Sequence, residues 1–272
     1  MDFSAVVTDL DGTFWSTAMT LHPATVDALA AFDAAGIPFV IATGRRALST
    51  LAGASPLGLG NRGAVLMNGA LVRDRLDGES FHREVIERDD ALRALEVFAG
   101  HGLQPLVYID HPEADVLAGP NASAGDEFLA SAPGLRRVPD LDRAISEASV
   151  IGFGAFGYPK DQLEEAQAEI VEAGIASAII SPSHYEGDHG IMLQGEGVDK
   201  ATGLDAYCTR HGLDRTRLVA IGDGFNDIGM LKSAAMAVVP TNAPDAIQEL
   251  ADASIAPNEE GGWAQLPRLL EL

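Results

Sequence analysis

A chain of 272 residues in which hydrophobic residues make up 47% can bury a sizeable core, as one large domain or two modest ones. Its 40 acidic residues against 18 basic ones give a formal net charge of −22, which argues strongly against a nucleic-acid backbone or an anionic membrane as partner. The same field repels an anionic substrate, so any site that takes one needs a local cation to reverse it. No apolar stretch reaches membrane-spanning length, the N-terminus reads without a signal peptide, and Cys208 is the single cysteine, so a cytoplasmic protein is expected.

In chain order, Ala5–Thr8 predicts a strand that runs directly into Asp9 and Asp11, one residue apart. Charges seldom stand at the end of a buried strand unless something pairs with them. Asp-Gly is also an ordinary turn dipeptide, so these residues alone leave a plain turn as open as a site. Pro23–Ala35 predicts an amphipathic helix, with Pro23 in its first turn, Gly36 as its stop, and Val26, Leu29, Ala30 and Phe32 on one side. The apolar run 37–42 reads as a strand covered on both faces, and 63–70 as a third strand. This alternation argues for a parallel sheet with helices on both sides.

The middle differs in texture. Asp90–Gly100 and Pro159–Ala173 read as helices, 105–110, 149–157 and 176–181 as strands, and the Gly/Ala/Ser-rich stretch near 118–125 as a loop. After it the first rhythm returns: helix 200–211, strand 217–223, a helix near 226–234, strand 236–239 and a helix at about 244–250. The expected fold class is α/β: a Rossmann-like parallel-sheet core over 1–82 and 186–272, with an inserted α+β module over 83–185.

Two strings match the dinucleotide pattern G-x-G-x-x-G, and neither reads as a cofactor site, although the second is placed after a strand and before a helix. "GLGNRG" (58–63) precedes a strand and opens no helix; "GFGAFG" (152–157) looks like a strand packed closely against something, and no acidic residue follows to hold a ribose.

The stronger pattern is positional, because ligands of parallel α/β sheets sit beyond the C-terminal strand ends. Those ends carry Asp9 and Asp11, then Thr43-Gly44-Arg45, then Asn68-Gly69, then Asp223, while Lys200 opens the helix before the last of these strands. Clustered hard oxygen ligands suit Mg²⁺, which also binds substrate phosphate. One carboxylate can attack phosphorus, and a second, two residues on, can protonate the leaving oxygen and then activate water. Thr43 can hold phosphoryl oxygens and a lysine can neutralise charge. Lys200 opposes the dipole at its helix start, in a chain where only Lys160, Lys200 and Lys232 are lysines; a surface lysine behind a capping Asp199 is the plainer reading.

"DLDGT", "IATGRR", Lys200 in "GVDKATGL" and "IGDGFNDIGML" resemble the four ordered motifs of the haloacid dehalogenase superfamily. The Thr43-Gly44-Arg45 form, "NGA" at 68–70 and an insertion between the second and third motifs resemble its Cof-type sugar-phosphatase branch, with the class IIB cap. The resemblance implies a Mg²⁺-dependent phosphatase acting on a small phosphorylated metabolite through an aspartyl-phosphate. Asp9 is then the nucleophile and Asp11 the general acid/base. Thr43, Gly44, Arg45, Asn68, Lys200 and Asn226 bind the substrate, with Thr43 and Lys200 on the phosphoryl group. Asp9, Asp11 (through its backbone oxygen) and Asp223 hold the metal, supported from behind by Asn226 and Asp227. The inserted segment sets specificity.

The chain departs from the family pattern at Thr8, where an apolar residue is usual, and at Phe14-Trp15, where leucines are common; Trp15 is expected to alter the surface facing the cap. Arg46 is expected to be a surface partner. His184, Tyr185, Glu186, Asp188 and His189 gather in "SPSHYEGDHG" (181–190) and read as a polar hinge rather than a metal site; His22, His82, His101, His111 and His211 are scattered and read as no ligands. A phosphomutase or phosphotransferase would use the same Asp9 chemistry, and a phospho-receiver module is a rival from another class. Asp11 and the long insertion speak against the receiver.

Overall fold

The computed structural model describes residues 3–16, 18–122, 132–182 and 189–272. The chain folds as two compact units, one of Met1–Arg45, Gly53–His82 and Asp199–Leu272, the other of Arg46–Ala52 and Arg83–Val198.

The first unit is built on an eight-stranded sheet. Its strands run in the order Ala253–Ile255, Met236–Pro240, Leu218–Ile221, Ala5–Thr8, Phe39–Ala42, Gly63–Leu66, Leu71–Arg73 and Ser80–Arg83. The first six are parallel, and Leu71–Arg73 turns back antiparallel to Gly63–Leu66. A parallel strand needs cover on both faces, and the alternation of side chains supplies it. Ala5, Val7, Val40 and Ala220 pack with Leu204, Cys208, Met230 and Ile247 on one face. On the other face Trp263 meets Phe14, Phe32 and Phe39 at ring-centroid distances of 5.1, 5.4 and 5.6 Å.

Helix Pro23–Ala35 forms as expected and ends on a left-handed Gly36, but its buried face is Thr25, Ala28, Leu29 and Phe32. Those positions follow the i, i+3, i+4, i+7 rule, which leaves Val26 and Ala30 exposed rather than buried as predicted. The third strand stops at Leu66, short of the predicted 70, because Met67 (φ 51°) and Asn68 (φ 50°) are both left-handed. The helix predicted near 226–234 is divided into a 3₁₀ turn, Phe225–Asp227, and the α-helix Ile228–Ser233. Among the described residues no helix is long and apolar enough to cross a membrane.

The second unit carries a six-stranded sheet in the order Ser177–Pro182, His189–Gln194, Val150–Tyr158, Leu106–Ile109, Val116–Ala118 and Leu135–Arg137. Helices Arg88–Gly100 and Lys160–Glu172 cover one face, where Phe98 meets Phe153 at 5.9 Å. The sequence places the return to the core at 186, whereas the unit extends to Val198, because His189–Gln194 pairs with strands on both sides. "GFGAFG" lies inside the strand Val150–Tyr158, and a Cβ on Gly154 would sit 2.5 Å from Tyr108 Oη. A side chain packed over bare backbone, not a cofactor, accounts for that glycine.

Arg46 is not at the surface. It is 7% exposed, and its guanidinium pairs with the buried Asp115 and donates to Pro133 O at 3.0 Å. The other Asp115 oxygen accepts from Leu48 N at 2.8 Å, in the first turn of helix Ala47–Ala54. Of the polar run at 181–190, His184, Tyr185, Glu186 and Asp188 lie outside the described residues.

Candidate active site

Register decides which residues meet. Thr8 is level with Ile221 on one side and Ile41 on the other, and Ala42 is level with Val65. Asp9, Thr43 and Asp223 therefore leave the sheet at the same edge. They line one cleft of about 240 Å³ together with Asp11, Gly44, Arg45, Gly224 and Asn226, all within the first unit. The strand ends carrying Asp9, Thr43 and Asp223 thus converge, as the rule for parallel sheets requires, while Asn68 and Gly69 are not among the residues lining the cleft.

Asp9 is 6% exposed, and its Oδ1 accepts from Lys200 Nζ at 2.5 Å. Lys200 is fully buried and also donates to Asp227 Oδ1 at 2.7 Å. It follows the N-cap Asp199, which bonds Thr202 N, so the helix start is capped independently while the lysine folds inward. The plainer reading of Lys200 as a surface residue is excluded. It does not line the cleft but stands behind Asp9.

Asp9, Asp223 and Asp227 each offer an oxygen within 4.8 Å of the others, the one group of its kind among the described residues. Burial pushes the Asp9 carboxyl well above the usual carboxylate range; Lys200 pulls against that shift, and Asp227 and Asp223 add to it. Burial alone would discharge Lys200, but Asp227 and Asp9 outweigh it and hold the ammonium above the ordinary lysine value. Asp223 is raised as well, by burial first, against the hydrogen bond from Thr13. One ammonium thus faces three carboxylates, an excess of negative charge that a hard cation relieves.

The oxygens differ in how far they are already engaged. Both Asp227 oxygens are taken, Oδ1 by Lys200 and Oδ2 by the backbone N–H of Asp223 at 3.1 Å and of Gly224 at 2.9 Å. Asp223 Oδ1 accepts from Thr13 Oγ1 at 2.5 Å, while its Oδ2 lies over Gly12, where a Cβ would come within 2.5 Å. Gly12 also has φ +80°, so neither its conformation nor its space admits a side chain. The bland turn reading therefore holds for Gly12 alone.

Asp11 turns the other way. Its carboxylate receives two hydrogen bonds from Arg45, Nε at 2.6 Å and Nη2 at 2.7 Å, and one from Trp15 Nε1 at 3.0 Å. Trp15 is fully buried, so it orients Asp11 instead of shaping a surface as expected, and the Arg45 guanidinium lies 5.5 Å over its ring. Thr43 Oγ1 accepts from Arg45 N at 3.2 Å, and the turn after Ala42 is tied to the 67–68 turn by Asn68 N→Thr43 O and Met67 N→Arg45 O. Asn226 Nδ2 donates to Asn68 Oδ1 at 2.9 Å, which joins the "NGA" turn to the fourth motif.

Sequence reasoning missed Thr13, the bonding role of Trp15 and the pair Thr8–Trp263. Trp263 Nε1 donates to Thr8 Oγ1 at 3.1 Å across 255 positions of sequence. Only the oddity of a hydroxyl in an apolar strand hinted at a partner.

A family model for haloacid dehalogenase-like hydrolases matches residues 6–266. The chain belongs to that family, as a Cof-type phosphatase. It is 29% identical to a phosphoglycolate phosphatase of Methanopyrus kandleri, over 98% of this chain and 97% of the relative. It is 28% identical to the pyridoxal phosphate phosphatase YbhA of Escherichia coli, over 97% of each. A haloacid dehalogenase-like hydrolase from Bacteroides thetaiotaomicron superposes with a TM-score of 0.83 at 23% identity, over 99% of this chain and 100% of that one. The subclass IIB sugar phosphatase BT4131 superposes with 0.75 at 22% identity, over 98% and 99%.

Proposed function

We propose that the protein is a cytoplasmic, Mg²⁺-dependent phosphatase that hydrolyses a small phosphorylated metabolite, a sugar phosphate by class, through an aspartyl-phosphate on Asp9. The observation that carries this reading is the placement of Asp9 at a strand end, with Lys200 2.5 Å behind it and Asp223 and Asp227 clustered beside it. Relatives acting by name on phosphoglycolate and pyridoxal phosphate support a small phosphomonoester.

The donor set fits a hard divalent ion. Asp9 and Asp223 each keep an oxygen outside the bonds described above, and the Asp11 side chain is held by Arg45 and Trp15, which leaves its backbone oxygen to join them. Asp227, with both oxygens engaged, supports from behind, and Asn226 fixes Asn68. When bound, Mg²⁺ supplies charge neutralisation for the phosphoryl oxygens.

The residues then divide the chemistry. An Asp9 carboxylate oxygen forms a bond to phosphorus as the ester P–O bond breaks, and Asp11, once protonated and no longer gripped by Arg45 at both oxygens, gives its proton to the departing oxygen. Asp11 next takes a proton from water, whose oxygen bonds to phosphorus and releases the Asp9 carboxylate. Thr43 and the Gly44 N–H hold phosphoryl oxygens, and Lys200 pulls Asp9 toward its ionised form against the rise that burial imposes. Arg45 and Asn68 take the substrate side, and the inserted segment selects the leaving group.

Phosphate release from p-nitrophenyl phosphate, with and without Mg²⁺, tests this on wild type and Asp9→Asn. Activity that requires Mg²⁺ and vanishes in the variant is expected, followed by a panel of sugar phosphates, phosphoglycolate and pyridoxal phosphate. A hydroxylamine-labile phosphate that stays on Asp9, or one that passes to a sugar in place of water, overturns the hydrolase reading.

A further inference from the structure

The strand Ala5–Thr8 is buried throughout and is apolar except at its last residue, the one that precedes Asp9. Thr8 lies on the face opposite Ala5 and Val7, beside Trp263 in its nest of Phe14, Phe32 and Phe39. Both Thr8 and Trp263 are fully buried. Valine would occupy the same volume without a hydroxyl to satisfy, and an unbonded hydroxyl in such a place is costly. The hydroxyl is in fact bonded twice: it accepts from Trp263 Nε1 at 3.1 Å and donates to Asp9 O at 2.9 Å.

We propose that Trp263 and Thr8 are a positioning pair that fixes the backbone of Asp9 and so aims its carboxylate. Asp9 N donates to Ile221 O at 2.8 Å, which fixes the peptide on its other side. With both ends of the residue tied, only the side-chain torsions remain, and Lys200 restrains those through Oδ1. Reacting groups need placement to a fraction of an ångström, and the indole reaches the residue from the far end of the chain to provide it. The inference rests on Asp9 being the phosphoryl acceptor.

A double-mutant cycle separates positioning from mere satisfaction of a buried indole. Thr8→Val strands the Trp263 N–H and lowers the urea midpoint. Trp263→Phe added to it removes the stranded donor, so the double variant regains part of the lost stability, less the cost of the cavity the smaller ring leaves. A purely structural pair would regain its turnover too. Positioning instead predicts that kcat on p-nitrophenyl phosphate with Mg²⁺ stays about fivefold down in the double variant, the worth of one hydrogen bond, with KM within about twofold. A double variant with wild-type kcat overturns the proposal.

A second readout needs no turnover. Beryllofluoride, with Mg²⁺, caps a phosphate-accepting carboxylate and is followed by ¹⁹F NMR; the double variant should require about fivefold more of it. A wild type that captures beryllofluoride but releases no phosphate refutes the hydrolase reading alone. Equal capture by wild type and variant refutes the positioning pair alone.

Discussion

Arg45 grips Asp11 with both edges of its fork, Nε to Oδ2 at 2.6 Å and Nη2 to Oδ1 at 2.7 Å. The two side chains are 28% and 44% exposed, and an ion pair that open contributes little to stability. Its value lies in direction, since a planar fork sets the plane of the carboxylate where a single ammonium cannot. Arg45→Lys should therefore lower kcat/KM about tenfold while shifting Tm by less than about 2 °C. Steady-state kinetics beside a thermal scan checks this; a large loss of Tm with kcat/KM unchanged would reverse the assignment.

Lys200 belongs to the opposite regime. Removing a fully buried cation leaves Asp9 and Asp227 facing each other uncompensated. Lys200→Met should cost about 3–5 kcal/mol by urea titration and abolish turnover. Asp227→Asn is the milder companion: it keeps the fold, lowers activity, and weakens the hold on the Asp223 and Gly224 N–H groups. A Lys200→Met protein as stable as wild type would mean that the lysine is dispensable to the cluster.

The sites on this fold were legible to different depths, and the reason is range. Asp9, Thr43 and Asp223 stand at the ends of apolar strands, and parallel packing brings such ends to one edge, so their convergence follows from local pattern. Asp227 reads from sequence as a supporting residue; its Oδ2 accepts from the Asp223 N–H at 3.1 Å, and it offers an oxygen within 4.8 Å of oxygens on Asp9 and Asp223. Arg46 reads as a surface residue because no local feature announces Asp115, 69 positions on. Trp263 and Thr8 were beyond reach for the same reason, since spacing within one strand says nothing of a partner 255 residues away. Trp15 was misplaced because an indole next to a catalytic motif looks like a surface, whereas its N–H needs a buried acceptor and finds Asp11.

The Arg46–Asp115 pair invites a direct measurement. Side-chain exposures of 8% and 3% make it a desolvated pair, and burial is the main reason the Asp115 carboxyl is raised. Arg46→Met strands a buried carboxylate and should cost about 3 kcal/mol or more. Arg46→Met with Asp115→Leu should recover much of that, since both charges go, although Leu48 N then loses its acceptor. Urea midpoints of wild type, single and double variants test it; additive losses would show that the two side chains act independently.

Cys208 offers a probe of the first unit's core. It is 4% exposed beside Leu204 and Tyr207, and burial pushes its thiol up from 9.0 to about 11. The thiolate is the reactive form, so the folded protein should react slowly with iodoacetamide at pH 8 and faster as pH approaches 11. The sign for stability follows from the same shift. Between 9.0 and about 11 the unfolded chain gives up this proton while the folded chain keeps it, so folding stability falls as pH rises through that window. Cys208→Ala removes the group and should flatten that part of the curve, measured by urea midpoints from pH 8 to pH 11. Rapid labelling of native protein at pH 8, at the rate seen in urea, would mean that the helix Lys200–His211 opens readily and exposes the face it packs against the sheet.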